Sequence, residues 1–173
     1  MKISFKYLGH IITDDWKDDR DIHRQLCKLY AQANMLIRRF SMCTDDGKCS
    51  LFRTYVTPLY TAQLWTNYSK GSMRRLKVAY NDALRLLLHV PRWHIDSDLY
   101  VIHSASGLFV NNGLPTLEAL LRHLVYGFIC RLDQSQNSLI EALASPVRSS
   151  YRYTSRLRLH WRNGLYANSC TDS

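Results

Sequence analysis

Apolar side chains follow one spacing at the start of the chain and another almost everywhere after it. Ile3, Phe5 and Tyr7 alternate with Lys2, Ser4 and Lys6, a period of two that predicts a half-buried strand. Gly9 permits a tight turn, and His10-Ile11-Ile12 supplies the returning arm of a hairpin. From there the spacing is helical. Ile22, Leu26, Leu29, Ala33, Leu36, Ile37 and Phe40 form one stripe and predict a helix over 20–40, with Arg38-Arg39 at its end to suit the helix dipole. The acidic run 14–19 before it reads as a loop rich in N-cap residues. Thr44-Asp45-Asp46-Gly47 reads as a turn. Leu51, Phe52, Tyr55, Leu59 and Tyr60 give a second helical face, with Pro58 forcing a kink or break and Leu64-Trp65 continuing it. Ser72 caps a third predicted helix over 73–90, striped by Leu76, Ala79, Tyr80, Ala83, Leu84, Leu87 and Leu88 and stopped by Pro91.

Past that proline the pattern predicts a short helix over 98–104 ended by Gly107, and a turn at Asn111-Asn112-Gly113. A further helix runs from near Pro115 to Leu132, a short one from Ser138 to Ala144, and one more lies in 149–166. The fold class is therefore mainly α: an N-terminal β-hairpin followed by about six helices. Three divisions are expected, a hairpin over 1–15, a helical bundle over 16–110 and a helical extension with a basic tail over 111–173. A lone two-stranded hairpin is marginal in water, so the opening strands read as the edge of something larger.

Charge adds a partner class to this picture. Lys and Arg number 23 against 14 acids, a formal net charge of +9, which favours a polyanion and nucleic acid first. Residues 47–95 hold Lys48, Arg53, Lys70, Arg74, Arg75, Lys77, Arg85 and Arg92 against Asp82 alone, and 142–171 hold five Arg and no acid. Arg74-Arg75-x-Lys77 with Tyr80, and the tail segment from Tyr151 to Arg162, mix cations that neutralise phosphates with aromatics able to stack on bases. Lys70, Arg74, Arg75 and Lys77 are the candidate backbone contacts.

Candidate chemistry is sparse. The five cysteines are odd in number, widely spaced and without a Cys-x-x-Cys pair, which argues against a disulfide framework and for a reducing compartment, nuclear or cytoplasmic. No apolar run reaches membrane-spanning length, so no membrane partner is expected. Asp14-Asp15 and Asp45-Asp46 lack the third carboxylate that a two-metal site needs and read as solvated helix entries. The seven histidines form no metal motif, and neither a Gly-rich phosphate loop nor a nucleophile elbow is present.

Taken in order, five segments resemble one family. Phe5-Lys-Tyr-Leu-Gly9 followed by His-Ile-Ile looks like the motif after the catalytic strands in reverse transcriptases of non-LTR (LINE-type) retrotransposons. Similar to the region beyond it in these elements are Asp21-Ile-x-Arg-Gln25…Ala33-Asn34…Leu36 and Leu51-Phe-Arg-Thr-Tyr55-x-x-Pro58-Leu-Tyr60…Leu64-Trp65. So are Leu76-x-x-Ala-Tyr80-Asn81…Leu84-Arg85…Val90-Pro91-Arg92-Trp93 and Leu120-Leu-Arg122…Tyr126-x-Phe128-x-x-Arg131-Leu132. The resemblance implies a primer grip at Phe5, Lys6, Tyr7, Leu8 and Gly9, followed by a thumb and its extension, on an RNA/DNA template–primer duplex. The family's Mg-binding carboxylates lie upstream of the hairpin motif. The expectation is a piece of an RNA-directed DNA polymerase that lacks fingers and palm, binds no cofactor and is no enzyme by itself. The alternatives are a stand-alone nucleic-acid-binding module and a helical protein-interaction domain.

Overall fold

The structure, a computed structural model, describes residues 4–96, 99–102 and 104–139. It is mainly helical and opens on the antiparallel hairpin that the alternating pattern predicts. Strands β1 (Ser4–Tyr7) and β2 (His10–Thr13) pair Phe5 with Ile12 and Tyr7 with His10. Leu8 (φ 46°) and Gly9 (φ 84°) form the two-residue loop, and positive φ at both central positions is the type I′ geometry that matches strand twist. The half-burial expected of this strand is not found: every residue of β1 is exposed, Phe5 and Tyr7 included. Alternation fixes which side chains share a face, but nothing among the described residues covers that face.

Helix α1 (Asp19–Arg39) carries Asp19 and Asp21 in its first turn and Arg38 and Arg39 in its last, complementing the dipole as expected. Ile22, Leu26, Leu29, Ala33 and Leu36 are buried along its stripe. Helix α2 (Asp45–Tyr55) begins where a turn is expected, because the Thr44 hydroxyl accepts from the Gly47 amide and makes Thr44 an N-cap. It ends before Pro58, and Leu64-Trp65 does not continue it: Ala62–Leu64 is a separate 3-10 turn. Helix α3 (Lys70–Leu87) begins three residues earlier than Ser72 suggests, since Ser69 is the cap and its Oγ accepts from the Ser72 amide. Its predicted stripe is buried throughout, from Leu76 and Tyr80 to Leu87 and Leu88. At its C-terminus His89 (φ 56°) stands where glycine usually does, with Val90 N–H donating to the Arg85 carbonyl at 2.9 Å.

The helix expected over 98–104 is instead the second strand of another hairpin. Strand β3 (Trp93–Asp96) pairs with β4 (Leu99–Ile102), as the aromatic and β-branched residues of this run favour extended backbone. Helix α4 (Ala105–Asn111) is capped by Ser104, whose hydroxyl accepts from Gly107 N–H; Gly107 lies inside the helix rather than ending it. Gly113 (φ 61°) does end it, as the Asn-Asn-Gly signal predicts. Helix α5 (Leu117–Asp133) follows Pro115 as expected. The predicted helix in 149–166, and the part of Ser138–Ala144 from residue 140 on, lie outside the described residues.

Two compact units emerge, one drawn from Met1–Thr61 and Asn67–Leu117, the other from Ala62–Thr66 and Glu118–Ser173. The core of the first is aromatic. Phe52 and Tyr80 meet edge to face at 5.3 Å, Tyr80 and Phe109 stack at 5.2 Å, and each ring is essentially without solvent exposure. The Tyr80 hydroxyl donates to the Pro115 carbonyl at 3.1 Å, and burial pushes its pKa up. Of the second unit, α5 is the main described element; Tyr126 and Leu132 on it are exposed.

Candidate nucleic-acid interface

The four candidate backbone contacts lie on one helix. Lys70, Arg74 and Lys77 are spaced i, i+4, i+7 along α3, a spacing that keeps them on one side, and Arg75 projects about 100° away. All four are exposed, while Leu76, Ala79 and Tyr80 between and beyond them are buried. The first turn of α3 holds no acid. Lys70 in that turn stands at the positive end of the helix dipole, where a cation costs stability, and the Asp19 carboxylate bonded to the Ser69 cap is the anion beside it.

Tyr80, whose neighbourhood to Arg74, Arg75 and Lys77 in sequence suggests a stacking residue, belongs to the aromatic core and has no exposed ring face. Arg74 and Arg75, six and five residues before Tyr80, project about 120–140° away from it, whereas Lys77, three residues before it, lies about 60° round the helix with its side chain exposed. The tail cluster from Tyr151 to Arg162 lies outside the described residues.

The hairpin presents a second candidate surface. Phe5 and Tyr7 stack at 6.5 Å with their planes 22° apart, and Leu8 at the turn is 72% exposed. Lys6 is exposed as well. Gly9 serves the turn twice over: its φ suits glycine, and a Cβ there would come within 3.2 Å of the Tyr60 ring.

Residues of the acidic run 14–19, with Asp21 and Gln25 just beyond it, hold both surfaces. Asp21 is fully buried and accepts from the Ile11 amide at 3.1 Å, from Arg24 Nε at 2.8 Å and from Thr61 Oγ1 at 3.0 Å, with His10 Nδ1 at 3.1 Å. Gln25, one turn along α1, donates to the Tyr60 carbonyl. Asp18 sits at the N-cap position of α1 without capping it; its Oδ2 accepts from the Asn67 amide at 2.8 Å, and its Oδ1 lies 3.8 Å from His10 Nε2. Asp19 Oδ1 accepts from both the amide and the hydroxyl of Ser69, the cap of α3. Desolvation raises the Asp19 pKa, but hydrogen bonds from Ser72 and Ser69 and the nearby Lys17 charge outweigh it and leave the carboxyl below its ordinary value. The first turn of α1 thus ties β2 on one side and the start of α3 on the other. Asp21 and Gln25, polar residues at i, i+4 beside an apolar stripe, are the signal that marks this junction in the sequence.

Chemistry beyond charge and stacking is limited. Among the described residues no group of three or more His, Cys, Asp and Glu is arranged to hold a metal ion. Cys27, Cys43, Cys49 and Cys130 are free thiols. Cys49 is buried and donates to Asn112 Oδ1 at 3.4 Å, and burial with the Asp45 and Asp46 charges raises its pKa. No helix among the described residues is long and apolar enough to cross a membrane. No family model, curated protein or solved structure matches the chain.

Proposed function

We propose that this chain is the primer-grip, thumb and post-thumb part of a non-LTR retrotransposon reverse transcriptase, contributing template–primer duplex binding without the catalytic palm. The observation that carries the reading is the exposure of Lys70, Arg74, Arg75 and Lys77 together on the first two turns of α3. Exposed cations on a rigid helix contact phosphates without reading sequence, the property a duplex-tracking element needs. The ordered resemblance of five segments supports the same assignment, and the exposed Phe5–Gly9 hairpin is compatible with an approach to the primer strand. The chain itself performs no phosphoryl transfer in this reading; a parent polymerase would bring the Mg-binding carboxylates.

The test is a fluorescence-anisotropy titration of an RNA–DNA hybrid with the purified chain at low salt. Saturable binding, indifferent to the hybrid's sequence and weakened by Lys70→Glu, Arg74→Glu, Arg75→Glu and Lys77→Glu together, is expected. A chain that leaves the hybrid free sinks the proposal and favours the protein-interaction alternative, for which the exposed Phe5, Tyr7 and Leu8 are the supporting observation.

A further inference from the structure

The two edges of the N-terminal hairpin differ. With Leu8-Gly9 as a two-residue loop, Tyr7 and His10 form the closing hydrogen-bonded pair and Phe5 and Ile12 the next one. The intervening pairs, Lys6 with Ile11 and Ser4 with Thr13, therefore turn their backbone groups outward. On the β2 side these groups are used: Ile11 N–H donates to Asp21 Oδ1, and the Thr13 carbonyl accepts from Trp16 N–H at 3.1 Å. On the β1 side the amides and carbonyls of Ser4 and Lys6 have no partner among the described residues, and no strand lies beside them there. Among the described residues, one edge of the sheet is closed by a carboxylate of α1 and the other is left open as a template for a strand.

We propose that the open edge of β1 pairs antiparallel with β1 of a second copy of this chain, making a four-stranded sheet in the order β2-β1-β1-β2. Register follows from the outward groups and from charge. Outward residues must meet outward residues, which leaves Ser4 on Ser4, Lys6 on Lys6, or Ser4 on Lys6. Lys6 on Lys6 sets like charges directly opposite, which destabilises. Ser4 on Ser4 draws Lys6 out beyond the paired segment. Ser4 on Lys6 forms hydrogen bonds at both ends, keeps the ammonium groups apart and centres the contact on Phe5. Phe5 then faces the second copy's Phe5 in a non-hydrogen-bonded pair, the closest approach that antiparallel strands allow. Aromatic pairs at such positions stabilise a sheet. The Phe5–Tyr7 stack, more than half exposed in one copy, becomes half of a four-ring ladder on one face of the joined sheet. This inference rests on backbone groups of β1 and is independent of the nucleic-acid reading of α3.

Sedimentation velocity over a concentration series tests it, with Lys6→Pro as the discriminating variant. The Lys6 amide points away from β2, so proline there removes a donor from the open edge and none from the hairpin ladder. Monomer–dimer exchange is expected for the parent chain. A dimer dissociation constant at least about tenfold higher is expected for Lys6→Pro, equivalent to about 1.4 kcal/mol. Unchanged exchange protection of the Ile12 amide, which belongs to the hydrogen-bonded pair with Phe5, shows that the hairpin of the variant is intact. Should Lys6→Pro unfold the hairpin, Phe5→Cys decides: oxidised glutathione gives a covalent dimer whose disulfide maps to position 5 in both copies. A chain that stays monomeric at all concentrations, a dimer indifferent to Lys6→Pro with the hairpin intact, or failure of position 5 to cross-link overturns the proposal.

Discussion

Phe52, Tyr80 and Phe109 sit ring against ring, with almost no solvent reaching any of them. Phe5 and Tyr7 also stack, yet both remain more than half exposed. The first group is held by removing apolar area from water and by close packing. The hairpin that carries the second buries almost nothing through β1 and is anchored by carboxylates: Asp21 on the Ile11 amide and His10, and Asp18 beyond His10. The lesson is that one compact unit can position one surface by volume and another by charge-assisted hydrogen bonds. The two should fail under different insults.

The largest effect is expected in the aromatic core. Tyr80→Ala leaves a cavity between Phe52 and Phe109 and should cost about 3–5 kcal/mol in urea unfolding. Tyr80→Phe keeps the ring and loses only the bond to the Pro115 carbonyl, about 1 kcal/mol. Somewhat below the first comes Asp21→Ala. It strands Arg24, Thr61, His10 and the Ile11 amide, at a cost of about 3 kcal/mol. Hydrogen exchange separates the two: Asp21→Ala should release the Ile11 amide first, whereas Tyr80→Ala should loosen α3 and α4.

Turn chemistry offers a gain where the core offers only losses. Leu8 occupies a left-handed conformation that disfavours a branched apolar residue. Leu8→Asn, which gives the Asn-Gly pair preferred in type I′ turns, should raise stability by about 1 kcal/mol. At the start of α3, Lys70→Glu removes a cation from the positive end of the dipole and should stabilise by about 0.3–1 kcal/mol. In the proposed function the same change weakens nucleic-acid binding. A stability gain coupled to a binding loss would mark Lys70 as retained for a partner.

Acid sharpens the contrast further. The Asp19 carboxyl has a lowered pKa in the folded chain, so its ionised form is favoured by folding. The contribution is complete above the unfolded value near about pH 4 and is lost as the pH falls through the lower folded value. Asp19→Asn should therefore destabilise at neutral pH, with a difference from the parent chain that shrinks as the pH drops below about 4 in urea titrations.

Helical stripes were legible because burial in α1 and α3 follows periodicity alone: Ile22, Leu29, Leu36, Leu76 and Leu84 face inward, each where its spacing puts it. Helix starts at Asp45 and Lys70 were missed because Thr44 and Ser69 look like turn residues until their hydroxyls are seen accepting from Gly47 and Ser72. The β3–β4 hairpin escaped because a short aromatic and β-branched run fits a buried helix or a strand equally. Exposure of Lys70, Arg74, Arg75 and Lys77 could be read from their complement to the stripe. The i, i+4 pair Asp21 and Gln25 marks a polar junction in the sequence, but the partners of Asp18, Asp19 and Asp21 could not be read, because they lie about 10 to 50 residues away.

The salt dependence of RNA–DNA hybrid binding tests the central claim most directly. Affinity measured across a salt series should fall linearly on a log–log plot, each phosphate contact contributing about −0.9 to the slope. Replacing Lys70, Arg74, Arg75 and Lys77 together by Glu should flatten that slope by about 3–4 and lower affinity at low salt. A slope that the four substitutions leave unchanged, with the chain still folded, would contradict the assignment of the α3 face to a nucleic-acid backbone.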